Sequence, residues 1–280
     1  MSTTELSPAA TALADRVTAS LGDPARLGVA FSGGVDSSVL LALATRALGP
    51  GRTLAILGVS ASLAAAERRA AHAVAAGIGA PLIELTTNEL DRAEYRANGA
   101  DRCFHCKTEL FERIDDELVK THGLTAVAYG ENADDARRPD RPGAQAATNH
   151  QVLRPLAAAG LTKADVRVLA RALELPCADK PAAPCLASRI PHHEPVTAEK
   201  LQQIDEAEQV LHDLGFAEAR VRHHGDVARI EVPAADLVRA VTEPLRGRLL
   251  GGVRAAGFRF VSLDLGGVQS GAFTLPLVTR

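Results

Sequence analysis

Seven consecutive residues, Ser32-Gly33-Gly34-Val35-Asp36-Ser37-Ser38, carry the first chemistry legible in this chain. A glycine pair that follows a buried strand and opens a helix lets backbone N–H groups close on an anion, and the helix adds the positive end of its dipole. Ser32, Ser37 and Ser38 bring hydroxyl donors to the same turn. Asp36 repels a phosphate unless a cation lies between them, so the loop implies a divalent metal, magnesium, carried with a nucleotide. The chain has neither a GxxxxGK[ST] loop, with its lysine for terminal phosphates, nor a GxGxxG dinucleotide fingerprint. The bland alternative is a tight strand-to-helix turn that binds nothing.

Sulfur is the second theme. Four cysteines, Cys103, Cys106, Cys177 and Cys185, are too few for a disulfide scaffold and crowd the middle third of the chain. Cys103 and Cys106 form a CxxC at the start of a predicted helix, with both sulfurs on one side near the positive dipole end, where thiolates are favoured. Together with Cys185 they make three thiolate ligands, one short of the four that fill a [4Fe-4S] cluster. Zinc is an alternative that needs a further partner such as His105, whose direction on the helix is poor. Inert buried thiols are another, and Cys177, which matches no motif, is read that way.

Other polar residues invite a role beside a bland one. Arg220 and Arg222 alternate on a predicted strand and so face one way, as a phosphate-binding pair or a solvated face. Arg189 follows Cys185 closely and suits a thiolate, an adenylate or a structural salt bridge. Asp134, in a polar loop, is a candidate magnesium or substrate contact, although such loops are often simply solvated. The pairs His192-His193 and His223-His224 are tempting metal ligands, but neighbours on a strand point to opposite faces, and they stay unassigned.

A scaffold must position these groups. Residues 6–21 have a helical period through Leu6, Leu13, Val17 and Leu21. Strands are then predicted at 27–31, 54–59, 81–85 and 125–129, alternating with helices at 39–48, 63–76 and 103–120. That alternation implies right-handed crossovers and an α/β fold with a doubly wound parallel sheet. A polar loop spans 130–149, a fifth strand is expected at 152–156, and Thr162 caps a helix over 163–174. Pro176, Pro181, Pro184, Pro191 and Pro195 keep the next stretch irregular. Beyond it come a helix capped by Thr197, strands at 219–223 and 228–232, helical patterns at 234–241 and 245–256, and a strand at 258–263. The expected division is a first domain over 1–183, an active-site linker over 184–195 and a smaller α+β domain over 196–280.

Composition bounds the function. With 46% hydrophobic and 23% charged residues, the 280-residue chain is globular rather than disordered, collagen-like or coiled coil. Its formal charge is -3, and residues 191–280 hold ten Lys and Arg against twelve Asp and Glu, which argues against a nucleic-acid partner. No apolar run approaches the roughly 18 residues of a membrane span, and the first residues lack a signal peptide's apolar stretch. A soluble cytoplasmic protein without a membrane partner is expected.

Ser32-Gly-Gly-Val-Asp-Ser37 resembles the SGGxDS loop of the PP-loop ATP pyrophosphatase superfamily, which is adenine nucleotide alpha hydrolase-like in fold and splits ATP into AMP and pyrophosphate. The resemblance implies that Ser32, Gly33, Gly34, Asp36, Ser37 and Ser38 hold pyrophosphate and metal, and that Ser60 lies by the adenosine. Downstream, Arg102-Cys-Phe-His-Cys-Lys107, Gly130-Glu-Asn-Ala-Asp-Asp135, Arg141-Pro-Gly143, Pro184-Cys-Leu-Ala-Ser-Arg189, Arg220-Val-Arg222, Ala228-Arg-Ile-Glu-Val232, Asp264-Leu-Gly-Gly267 and Ser270-Gly271 resemble the LarE family over nearly the whole chain. That family puts sulfur on a pyridinium biscarboxylic acid mononucleotide, forming the thiocarboxylates of the nickel-pincer cofactor. Cys185 matches the cysteine whose sulfur is sacrificed, while the three-cysteine pattern resembles a cluster-containing branch; both routes stay open. The resemblance further implies a mononucleotide phosphate on Arg220 and Arg222, Glu231 near that phosphate or a metal, and a homo-oligomer. Glu208 matches less securely and reads as an exposed helix residue, and Glu131 stands where the family pattern has Thr. A PP-loop tRNA thiolase, an amide-forming adenylating enzyme and a non-catalytic ATP-binding module are the competing readings.

Overall fold

A computed structural model of the chain describes residues 6–137 and 142–269. Arg141, Ser270 and Gly271, from the motifs above, lie outside the described residues. Helices of ten or more residues are numbered here: α1 Pro8–Leu21, α2 Val35–Leu48, α3 Ala65–Ile78, α4 Arg102–Arg113, α5 Lys163–Ala172, α6 Ala198–Asp213 and α7 Leu245–Ala255. The strands are β1 Leu27–Ala30, β2 Thr53–Val59, β3 Leu82–Thr86, β4 Ala126–Tyr129, β5 Arg220–His224, β6 Val227–Glu231 and β7 Phe260–Leu263. They divide between two compact units. The first takes the residues up to Ser60, Ala66–Glu89 and Cys103–Ala183; the second takes Ala61–Ala65, Leu90–Arg102 and the residues from Pro184 onward.

The first unit holds a parallel sheet in the order β3-β2-β1-β4, flanked by helices, so the expected α/β architecture is borne out. All of β1 is buried, which is why its run Leu27-Gly-Val-Ala30 shows no polar alternation. Helices α1, α2 and α5 pack on one another, while Phe111 and Ile114 join Leu54, Ile56 and Tyr129 in an apolar cluster. The helix that starts at Arg102 widens into a π-type turn over Ile114–Leu118 before its last turn, Val119–His122. The strand expected at 152–156 reduces to a single parallel bridge between Ala128 and Leu153. Pro155 ends it: proline has no N–H for a ladder and instead opens the helical turn Pro155–Ala158. The polar loop at 130–149 also contains helical turns, Ala133–Ala136 and Gly143–Asn149.

In the second unit β5 and β6 are antiparallel, with β7 parallel to β6. Phe216, Val221, Ile230, Val253 and Phe258 form its core, covered by α6 and α7. The proline-rich segment is irregular except for a 3-10 turn at Leu186–Arg189. It is held by Asn98, whose Nδ2 donates to the carbonyls of Pro191 at 2.8 Å and Glu194 at 2.9 Å.

Candidate functional site

In the first unit the chain leaves β1 at Phe31 and turns through Ser32, Gly33 and Gly34 into α2. Gly33 has φ +72°, and a Cβ there would sit 2.8 Å from the Ala71 Cα, so the turn admits only glycine. A Cβ on Gly130, just past β4, would lie 2.6 Å from the Ser37 backbone nitrogen; the end of β4 therefore presses directly on the first turn of α2. Ser37 Oγ accepts from the Ser32 N–H at 3.3 Å and donates to the Gly34 carbonyl at 3.1 Å, tying the loop to itself. Ser32 is exposed at the mouth. Ser38 is fully buried, so its hydroxyl does not reach the open face of the loop, and its backbone N–H closes the first helical bond on Gly34 at 3.0 Å.

Asp36 lies in the first turn of α2 with both carboxylate oxygens engaged. Oδ1 accepts from Asn132 Nδ2 at 3.2 Å, and Oδ2 takes the ammonium of Lys163. Asn132 also caps the turn Ala133–Ala136, its Oδ1 accepting from the N–H groups of Asp134 and Asp135 at 3.0 Å each. Asp134 in turn accepts the Lys163 backbone N–H at 2.8 Å. Ser60, at the end of β2, donates to Glu89 Oε1 at 2.5 Å. Glu131 is buried, 3.5 Å from Arg154.

No disulfide joins the four cysteines. Cys103 and Cys106 stand one turn apart on α4, the first exposed and the second half-buried, while Cys177 is buried. Cys185 belongs to the second unit, where it is exposed and precedes the 3-10 turn. Among the described residues no three His, Cys, Asp or Glu side chains are gathered as a metal-holding group. The expected three-cysteine ligand set therefore rests on its residue types alone, thiols that are not in disulfides.

The Cys185 turn is built on guanidinium groups. Arg189 Nη1 donates to the Pro184 carbonyl at 2.7 Å, Arg102 to that of Ala187 at 2.9 Å, and Arg222 to that of Ser188 at 3.0 Å. Arg189 also forks onto Glu208 at 2.8 and 3.1 Å, forming the salt bridge that was one of its expected roles. Glu208 is 5% exposed, not the exposed helix residue expected: α6 turns it inward, where Oε1 also accepts the Val221 N–H at 2.9 Å. Arg222 forks onto Glu231 at 2.9 Å on both oxygens. Arg220 donates to the Gln269 carbonyl at 2.8 Å. Burial, followed by the Arg189 and Arg222 charges, holds the Arg220 guanidinium below its usual range. Arg229 pairs with Asp264 beside this frame.

Residues 9–134 match the asparagine synthase family, a PP-loop ATP pyrophosphatase domain. Over 250 residues, 89% of this chain and 92% of the relative, the sequence is 40% identical to an uncharacterized protein of Synechocystis sp.. It is 34% identical over 253 residues, 90% of each chain, to the pyridinium-3,5-bisthiocarboxylic acid mononucleotide synthase of Lactiplantibacillus plantarum. The chain belongs to the LarE family. A more distant relative, 27% identical over 237 residues, is an uncharacterized protein of Methanocaldococcus jannaschii. LarE membership together with the PP-loop makes this protein an ATP-dependent sulfur transferase.

Within this LarE-family chain the structure brings Ser32, Gly33, Gly34, Asp36 and Ser37 to one loop, and Arg189, Arg220, Arg222 and Glu231 to one buried frame in the second unit. Asp134 is linked to the loop through Lys163 and Asn132, and Ser60 is engaged by Glu89. Lys163 and Asn132 were not singled out from the sequence. One signal was available for the lysine: it opens α5, where a cation opposes the helix dipole and so needs another reason to be there. No helix among the described residues is long and apolar enough to cross a membrane.

Proposed function

We propose that this protein adenylates the carboxylates of pyridinium-3,5-biscarboxylic acid mononucleotide and converts them to thiocarboxylates for a nickel-pincer cofactor. The observation that carries the reading is the SGGVDS loop in a chain that matches, over nine-tenths of its length, a synthase named for the bisthiocarboxylic acid product. In the first step a carboxylate oxygen attacks the α-phosphorus of ATP and pyrophosphate leaves with the electron pair of the broken bond. Backbone N–H groups of Gly33 and Gly34 at the head of α2 suit the phosphates. The Asp36 carboxylate suits a magnesium ion, which would offset phosphate charge. The buried frame of Arg220 and Arg222, with Arg189 and Glu231, supports binding of the mononucleotide phosphate.

Sulfur then attacks the acyl carbon and AMP departs. In one route the Cys185 thiolate forms a thioester, a base removes its α-proton, and the Cβ–S bond breaks toward sulfur, leaving dehydroalanine in the chain. The second route is favoured by the solvent-reachable Cys103 and Cys106 one turn apart: with Cys185 they would hold an iron–sulfur cluster, which would supply sulfide and spare Cys185. Self-association into a homo-oligomer belongs to the same proposal.

Anaerobic assay of pyrophosphate release, with and without the pyridinium substrate, tests the reading. Release should require the substrate, and Cys185→Ser should keep release while abolishing thiocarboxylate. No release under either condition would make the protein an ATP-binding module, and release that never leads to thiocarboxylate would make it another adenylating enzyme. Intact mass after turnover separates the sulfur routes: loss of one hydrogen sulfide at Cys185 marks the sacrificial one, and an unchanged mass with bound iron and acid-labile sulfide marks the other.

A further inference from the structure

The backbone around Cys185 is held from a distant stretch of the same unit, Leu90–Arg102. Pro184, Pro191 and Pro195 deny the Cys185 segment the N–H groups of a strand ladder, so its carbonyls need donors from elsewhere. Asn98, fully buried, supplies two of them: Nδ2 donates to Pro191 at 2.8 Å and to Glu194 at 2.9 Å. Its own carbonyl accepts the His193 N–H at 3.1 Å. It stands at φ +56°, a left-handed conformation that asparagine tolerates better than most residues. Asn98 Oδ1 accepts from Arg102 Nη1, and the same nitrogen donates to the Ala187 carbonyl at 2.9 Å, two residues beyond Cys185. The Leu186 N–H is fixed by the Ser62 carbonyl at 2.9 Å. The backbone that follows Cys185 is therefore pinned, while the cysteine itself stays exposed. Arg102 also opens α4 and directly precedes Cys103.

We propose that Arg102, seated by Asn98, is a positioning residue for sulfur transfer: it fixes the turn that presents Cys185, and it does not take part in adenylation. The inference rests on the sulfur-transfer reading above and holds for either sulfur source. Satisfying carbonyls does not by itself call for an arginine, since a buried guanidinium is costlier to desolvate than a neutral amide and Asn98 serves two carbonyls without charge. What the guanidinium adds is a charge-assisted donor that ties the Asn98 side chain and the Cys185 turn to one nitrogen. Sulfur must meet an acyl adenylate before water does, and a nucleophile held in place wins that competition. Without the clasp, water takes the acyl carbon instead: AMP leaves, the carboxylate returns, and ATP is spent with no carbon–sulfur bond formed.

Arg102→Met, Arg102→Lys and Asn98→Gly, compared with wild type under anaerobic single turnover of ATP and pyridinium-3,5-biscarboxylic acid mononucleotide, test this. Pyrophosphate release should stay at the wild-type rate in all three, while thiocarboxylate formation in Arg102→Met falls about 100-fold, the scale of a misplaced reacting group. Asn98→Gly, which suits the left-handed backbone but removes the side chain, should uncouple the two products in the same sense. Arg102→Lys, whose one ammonium can serve the two acceptors that Nη1 serves, should recover part of the lost coupling. Arg102→Met with the wild-type ratio of thiocarboxylate to pyrophosphate, or with both products lost together, would overturn the inference. Hydrogen exchange gives a reading without turnover: amides over residues 184–195 should exchange faster in Arg102→Met while those of β1 and α2 keep their protection, and unchanged exchange over 184–195 sinks the clasp. If wild type itself makes no thiocarboxylate, the sulfur-transfer reading falls and takes this role with it; if wild type makes it and Arg102→Met makes as much, this inference alone falls.

Discussion

The two units place charge in opposite ways. In the first, Asp36 and Lys163 meet with side chains 18% and 39% exposed, and each is fixed mainly through its backbone or its neighbours. In the second, Arg222 and Glu231 meet as a planar fork with 2% and 0% exposure, and Arg189 with Glu208 repeats the pattern. An ion pair in contact with water is cheap to separate, because solvent re-solvates both charges. A buried pair is not, since removing one partner strands the other in a medium of low dielectric. The first arrangement suits groups that exchange partners during a reaction, and the second suits a frame that holds its shape before the ligand arrives.

That contrast can be broken by experiment. The largest effect should come from Glu231→Ala, which leaves Arg222 buried without its fork: a loss of about 3–5 kcal/mol in denaturant unfolding, against about 0–1 kcal/mol for Lys163→Met. Equal losses would erase the distinction between the units. Next is Gly33→Ala, where a left-handed backbone and the close Ala71 together should cost about 1–3 kcal/mol and weaken ATP binding in a titration.

A smaller, pH-dependent effect should single out the second unit. Burial, before any other cause, lowers the pKa of His192, His223 and His224 from 6.5, and the Arg229 guanidinium donates to His224 Nε2 at 3.2 Å. The unfolded chain therefore takes up protons on cooling pH through 6.5 that the folded chain refuses, so the stability these residues contribute is complete above 6.5 and lost as pH falls through their folded values. In the first unit Arg68, and then His72, hold the Glu84 carboxyl at about 2, so its contribution persists until far lower pH. Unfolding midpoints at pH 8 and pH 5 should fall for the second unit's signals first; a first-unit signal that falls earlier would contradict this.

Local pattern carried far in this chain. The continuous apolar run at 27–31 named a buried parallel strand, Thr162 named the start of α5, and the prolines after Pro176 named a segment without regular structure. The strand expected at 152–156 failed because Pro155 lies within it, and a proline in an apolar run outweighs the run. Glu208 misled for a different reason. Its polar type suggests a solvated helix face, and only the arrival of Arg189 and the Val221 N–H makes burial affordable for a carboxylate.

The sequence by itself determined the kind of chemistry: a glycine turn between strand and helix for phosphate, a CxxC and Cys185 for sulfur, and paired arginines for an anion. Those follow from residue type and short spacing, which local backbone geometry converts directly into position. Only the tertiary structure decided which charges answer one another. Lys163 on Asp36, and Glu231 within the fork of Arg222, depend on how distant elements close together and how much water they exclude, and neither is written in any local stretch of the chain.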